Sequence, residues 1–264
     1  MTDYKNSFLN SKTGKSVVIA FDHGIGGREY KPNPRGLAEK FIAARPDGVL
    51  MSPPLIHMCA DLFAKYKDVV PIASVVGVNL TPNFYGPMQL FEFDFAINMG
   101  AKAIKNLLIF GQSDGKAMLD NMRNTAYLAN KARQKGIPFI VEAVAWGPQI
   151  PLEKQNDPEF VGKVCRIALE CGADVIKTTY TGDPKTFKEI TDSVPIPIII
   201  LGGAKGELQN IFQTVRDAMD SGAKGVAFGR NVFQHENPAA VVLALKELVH
   251  NGVSVNEAIA KMKL

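Results

Sequence analysis

Apolar residues fall along this chain in short, often β-branched runs separated by longer stretches of helical period. The runs are Ser16 to Phe21, Asp47 to Met51, Pro71 to Val76, Ala103 to Phe110, Ile137 to Glu142, Ala173 to Lys177, Ile196 to Leu201 and Gly225 to Phe228. Runs of this length and composition predict strands. Segments such as Ser113 to Lys135, Pro158 to Cys171 and Glu207 to Ser221 predict helices between them. The pieces NMGAKAIK, ECGADVIK and DSGAKGVAF repeat one join, in which a helix closes on glycine and a short turn feeds the next strand. Strands such as VVIAF and PIPIIIL are apolar without alternation, as parallel strands covered on both faces must be. Eight strand and helix units in 264 residues match the size of a closed barrel, which uses about 250. The pattern therefore predicts an α/β fold, one (β/α)8 TIM barrel over residues 1–264. An open doubly wound sheet would want GxGxxG after an early strand, whereas the first run leads into Asp22-His23-Gly24.

Loops on one end of such a barrel carry its chemistry. The turn-rich segment Asn79 to Gln89 is expected to be a long loop after the third strand, and Trp146 to Asp157 another after the fifth. Ser254 to Met262 is expected to be a terminal helix sealing the last repeat.

Composition narrows the function classes. Apolar residues make up 46% and charged residues 21%, enough to bury a large core, which excludes a disordered chain. No stretch reaches the roughly 18 uninterrupted apolar residues of a membrane span, and MTDYKNSFLN lacks the apolar region of a secretory signal. The expectation is a cytoplasmic protein with no membrane partner. Thirty basic residues against 26 acidic leave +4, too even for a nucleic-acid surface. Cys59, Cys165 and Cys171 form no CxxC pair, and Cys165 and Cys171 are expected as buried thiols of a helix. His57, His235 and His250 show no metal-ligand spacing, so neither a metal nor another cofactor is expected.

Polar residues at the C-terminal ends of the strands are the candidates for chemistry, because the barrel below them is filled with aliphatic side chains. Lys177 closes the run ADVIK, and two-residue alternation places it on the face of Ala173 and Val175, aimed into the barrel mouth. An amine withdrawn from water holds its proton less tightly and attacks carbonyls more readily. The alternative is a lysine that reaches solvent or pairs with a carboxylate. Lys105 competes for the same role, but its place near the start of its strand assigns it to the bottom. Asp22 and His23 end the first strand, next to the eighth in a closed barrel, where either is a candidate acid or base or else a turn cap and a packed ring. Glu142 is a weaker candidate of the same kind.

Two glycine-bearing turns follow the last two strands. ILGGAKG offers Gly202, Gly203 and Lys205, and AFGRN offers Gly229, Arg230 and Asn231. Barrels commonly bind phosphate at this place, through backbone N–H groups that glycine allows close to an anion. The lesser alternative is that Arg230 pairs with a neighbouring carboxylate.

The motifs FDHG, ADVIKTTYTG, LGGAKG and FGRNVFQ, in this order from about Phe8 to Val255, resemble the DeoC/FbaB-type class I aldolase family. That family includes archaeal-type fructose-bisphosphate aldolases, a heptulosonate synthase and a thiolase that processes phosphorylated autoinducer-2. The resemblance implies a TIM barrel in which Lys177 forms an imine with a phosphorylated carbonyl substrate. It implies assistance by Asp22, phosphate at the two glycine turns, and assembly as a homo-oligomer in rings or stacked rings. This chain departs from the family at VAWGPQ, which puts Trp146 where the fructose-bisphosphate enzymes resemble WSYPRG and use the tyrosine as proton donor. An indole N–H orients a substrate or excludes water but does not exchange a proton as a phenol does, and the arginine of that pattern is also missing. The opening NSKTGKSVVIAFDHG and the closing VFQHENPAAV resemble the thiolase branch, where the histidine matching His23 shuttles protons. The leading expectation is a Schiff-base lyase acting on a phosphorylated ketose or related keto compound. Two alternatives stand beside it: acyl transfer from a phosphorylated diketone to coenzyme A, and a non-catalytic sugar-phosphate binder.

Overall fold

The computed structural model describes residues 8–26, 32–81, 84–203 and 205–262. Its strands are β1 (Ser16–Ala20), β2 (Gly48–Met51), β3 (Val70–Ser74), β4 (Val76–Thr81), β5 (Phe84–Gln89), β6 (Ala103–Ile109), β7 (Phe139–Val144), β8 (Val175–Thr178), β9 (Ile198–Leu201) and β10 (Gly225–Phe228). Eight of them close a parallel barrel in the order β1-β10-β9-β8-β7-β6-β3-β2, with helices between successive barrel strands. The eight runs read from the sequence are these eight strands, with ends shifted by one or two residues. Prolines explain part of the shift: Pro138 and Pro197 have no N–H to donate, so β7 and β9 begin after them, although both carbonyls still accept from neighbouring strands.

Period-two alternation divides each strand between two cores. Val18, Leu50, Ile72, Ala103, Ile140, Val175, Ile199 and Ala227 pack inside the barrel, and Phe8 and Leu9 join the same cluster. Ser16 ties the entering chain to it by donating from Oγ to the Phe8 carbonyl at 2.8 Å. The alternate residues, such as Val17, Ile19, Val141, Ile176 and Phe228, face outward against the helices. Both faces are therefore dry, which is why the strands carry unbroken apolar runs.

The helices begin where the sequence supplies caps. Asp114 accepts from the Ala117 N–H at the start of Gly115–Lys135, and Asp157 caps Pro158–Glu170 with proline in its first turn. The latter helix leads into Gly172, whose φ of +95° lets the chain reverse into β8. Cys59, Cys165 and Cys171 are buried free thiols. Val255–Lys261 forms the expected terminal helix.

The segment Asn79 to Gln89 is not an open loop. β4 and β5 pair antiparallel from Val76↔Gln89 to Thr81↔Phe84, making a two-stranded ribbon that follows β3; residues 82–83 lie outside the described residues. Its prolines and glycine conceal a strand pattern, because an edge strand tolerates Pro87 where a central one would not. The expected loop after β7 does form, with one 3-10 turn at Leu152–Lys154.

Candidate active site

Lys177 of β8, Glu142 of β7 and Lys105 of β6 point inward, each two residues above a member of the aliphatic layer: Val175, Ile140 and Ala103. The strand register sets their heights. Glu142 is level with Lys177 on one side and with Leu107 on the other, so Lys105 starts one inward position lower. Its four-carbon stem makes up the difference. The Lys105 ammonium donates to Glu142 Oε2 at 2.5 Å and reaches Asp22 Oδ2 at 3.4 Å, while Lys177 Nζ lies 2.8 Å from Glu142 Oε1. Lys105, Lys177 and Glu142 are only 4%, 5% and 7% exposed. The expectation that Lys105 sits at the bottom holds for its backbone but not for its ammonium, which the long stem carries up to Glu142 and Asp22. Glu142, the weaker candidate from the sequence, is the link between both lysines.

Four charges thus alternate in sign through the floor of the mouth: Lys177, Glu142, Lys105, Asp22. Burial alone would raise the Asp22 carboxyl, but Lys105 and then Lys177 hold it well below the usual carboxylate range, with help from His23 and the Ser74 hydroxyl. Glu142 is lowered in the same way, against burial and Asp22, by Lys105 and then Lys177. Burial alone would lower Lys105, yet Glu142 and then Asp22 raise it, so it remains an ammonium. Among the described residues the ion pair of Lys177 is with Glu142, and Lys177 also lines the cavity. His23 Nδ1 is 3.9 Å from Asp22 Oδ1, and the ring packs edge-on against Phe233. Burial, then Lys177 and Arg230, lower the imidazole below its ordinary value despite Asp22, so the ring is neutral at pH 7.

The glycine turns meet beside these groups. Arg230 Nη2 donates to the Gly203 carbonyl at 2.9 Å, and Asn231 Nδ2 donates to the Gly202 carbonyl at 2.8 Å. Asn231 Oδ1 also accepts from the Gly206 N–H at 3.2 Å, so the residue after Arg230 serves as a bracket between the two turns. A methyl group on Gly229 would lie 2.4 Å from His23 Cε1 and 2.6 Å from the Ala20 carbonyl oxygen, so only glycine permits the turn to approach β1 this closely. Arg230 Nε is buried with no hydrogen-bond partner among the described residues, a donor left open for an anion. Lys205 does not join these residues: it is exposed and does not line the cavity, and Ala204 beside it lies outside the described residues.

A cavity of about 450 Å³ covers this floor. It brings together Asp22, His23, Trp146, Lys177, Gly202, Gly203, Gly229 and Arg230, together with Lys105 and Glu142, the two lower-ranked candidates from the sequence. Gln155 and Asn156 also line it, from the loop after β7. Nothing in the strand pattern marks these two amides, because loop residues have no period to read. Trp146 is half-buried against Val76, Leu107, Ile109 and Val144. Among the described residues no group of three His, Cys, Asp or Glu side chains is placed to hold a metal ion.

A family model described as DeoC/LacD family aldolase matches residues 16–235. The 2-amino-3,7-dideoxy-D-threo-hept-6-ulosonate synthase of Halobacterium salinarum is 37% identical, over 100% of this chain and 98% of that protein. The class 1 fructose-bisphosphate aldolase of Thermoproteus tenax is 30% identical, over 97% of this chain and 98% of that one. A solved archaeal fructose-1,6-bisphosphate aldolase, described with its catalytic Lys covalently bound to the carbinolamine intermediate of the substrate, superposes with a TM-score of 0.77. It is 27% identical and covers 93% of this chain and 98% of its own.

Proposed function

Because the chain belongs to the DeoC/LacD family of aldolases, we propose that it breaks and forms a carbon–carbon bond in a phosphorylated ketose or related keto compound through an imine on Lys177. The observation that carries this reading is the Lys177 amine, buried in the floor of a 450 Å³ cavity, 2.8 Å from Glu142 and facing an open anion cradle. Glu142 is the nearest acceptor for the proton Lys177 must shed before it attacks. Lys105 remains charged and keeps both carboxylates ionised.

In the cleavage direction the free Lys177 amine adds to the ketone carbon, and the carbinolamine loses its oxygen as water to give the protonated imine. A base then removes the proton of the hydroxyl two carbons away, the carbon–carbon bond breaks, and its electron pair moves into the imine to give an enamine while an aldehyde departs. The imine nitrogen accepts that charge far better than a ketone oxygen does. Protonation of the enamine carbon and addition of water release the second product and free the lysine. His23, neutral at pH 7 and lining the cavity, and ionised Asp22 are the proton carriers. Trp146 orients the substrate and excludes water. The phosphoryl group sits on the Gly202-Gly203 and Gly229 turns with Arg230.

The test is reduction with borohydride in the presence of a panel of ketose phosphates, followed by mass spectrometry of the protein. The expected result is an adduct on Lys177 in the wild type, none in Lys177→Ala, and turnover without added coenzyme A. An adduct on Lys105 instead would reverse the two lysines' roles. Phosphate-dependent binding with no adduct and no turnover would leave only a binding barrel.

The same reading places the enzyme in the cytoplasm as a homo-oligomer, a ring or stacked rings. Exposed Leu119 and Tyr127 on Gly115–Lys135 and Leu243 on Pro238–Lys246 supply apolar surface for subunit contacts, and light scattering after size exclusion measures the assembly. No helix among the described residues is long and apolar enough to cross a membrane.

A further inference from the structure

A second cavity, of about 580 Å³, adjoins the first, and Asp22, His23 and Ile25 line both. Its far walls are Phe21, Pro34, Pro54, Leu55, Met58 and Phe233. The two cavities differ in chemistry although they share these residues. The first holds Lys105, Lys177 and Arg230, whereas the described walls of the second contain no lysine or arginine and only Asp22, His23 and Ser52 with polar side chains. The shared partition is held in place: the His23 ring packs edge-on against Phe233 at 5.3 Å, and Phe233 packs edge-on against Phe21 at 5.2 Å. His23 Nδ1, buried without a hydrogen-bond partner among the described residues, belongs to this partition.

We infer that this second chamber binds the carbon chain of the aldehyde that leaves or enters during the reaction, and that this aldehyde is neutral with an alkyl or aryl tail. The inference rests on the aldolase reading above. Three observations support it. The chamber has the volume of a small-molecule site, commonly 300–1,000 Å³, and it reaches the catalytic cavity at the two residues assigned to carry protons to and from the aldehyde oxygen. Its surface is apolar, so burying methylene groups there is favourable. The ionised Asp22 on its wall opposes a second phosphate beside it in that chamber. The phosphoryl cradle and the apolar chamber then divide the two fragments between them.

The experiment is aldol addition with dihydroxyacetone phosphate as donor and acetaldehyde, butanal, hexanal or glyceraldehyde 3-phosphate as acceptor. Burial of a methylene is worth up to about fourfold, so kcat/KM is expected to rise at least tenfold from acetaldehyde to hexanal and to be lowest for glyceraldehyde 3-phosphate. Leu55→Trp, which fills the chamber, is expected to flatten that rise. Titration calorimetry with 1-hexanol gives the same answer without turnover: binding to the wild type, weakened at least tenfold in Leu55→Trp. A flat series with glyceraldehyde 3-phosphate preferred, or hexanol binding indifferent to Leu55→Trp, would overturn the inference. Borohydride trapping of the donor alone on Lys177 reports the catalytic cavity separately. Its failure would overturn the Schiff-base reading, whereas an intact adduct with a flat series would overturn only the chamber.

Discussion

Lys105→Met removes one cation from a buried set of two cations and two anions. Its neighbours make the cost large. Glu142 and Asp22 contact Lys105 at 2.5 and 3.4 Å, and Lys177 alone would then face two carboxylates. Breaking a buried pair by removing one partner costs about 3–5 kcal/mol, and at 4% exposure Lys105 warrants that range without a discount for solvent. The sign with pH follows from the charges. In the wild type both carboxyls are lowered, so their contribution is present at neutral pH and is lost only as pH falls through their depressed folded values. In the variant one carboxyl loses its cation and keeps its burial, so its folded value rises and it takes up a proton on moderate acidification. Urea denaturation of both proteins at pH 8 and pH 5 should therefore show a loss of about 3–5 kcal/mol at pH 8 that narrows clearly at pH 5. Adding Glu142→Gln should cost less than the two single losses summed, because the orphaned charge is then gone. A loss below about 1 kcal/mol with no pH dependence would mean that the four charges are solvated independently, as in surface pairs, and that Lys105 does not hold the carboxylates ionised.

Lys177→Ala should abolish both turnover and borohydride trapping, and chelator should change neither in the wild type, as read by product assay and intact mass. Arg230→Ala should raise KM for a phosphorylated substrate about ten- to hundredfold, the range of a lost charge-assisted hydrogen bond, with a much smaller effect on the unphosphorylated analogue; equal effects would take Arg230 out of the cradle. Gly229→Ala should destabilise the protein by about 1–3 kcal/mol in thermal or urea melts, since the new methyl meets both His23 and the β1 backbone. The lowered His23 keeps its proton off at neutral pH, so kcat/KM should hold from pH 8 to about 6.5 and fall only below that, with the acid limb missing in His23→Asn. A limb that survives in His23→Asn would assign it to another group.

Much of the architecture is legible in the sequence because it rests on local rules. Unbroken apolar runs, glycine at helix ends and Asp caps each act over a few residues, and eight repetitions in 264 residues leave little besides a closed barrel. The inward direction of Lys177 follows from the same logic, since alternation along one strand requires only its neighbours Ala173 and Val175. The ribbon β4–β5 is not legible there because its prolines and glycine mimic a loop, and only the pairing of β4 with β5 makes it a sheet.

The charge chain was not legible, for a different reason. Lys105, Glu142, Lys177 and Asp22 come from four strands or their ends, and the distances that make them one unit depend on barrel tilt and on how far a lysine stem reaches. By itself the sequence determined the barrel, the inward face of each strand and the two glycine turns, all products of short-range sterics and of burying apolar surface. Tertiary structure alone decided that Lys105 climbs to the mouth, that Glu142 joins the two lysines, that Lys205 stays outside, and that an apolar chamber lies beyond His23. Those outcomes depend on which side chains meet across space, and electrostatic and packing energies are set by that separation rather than by separation along the chain.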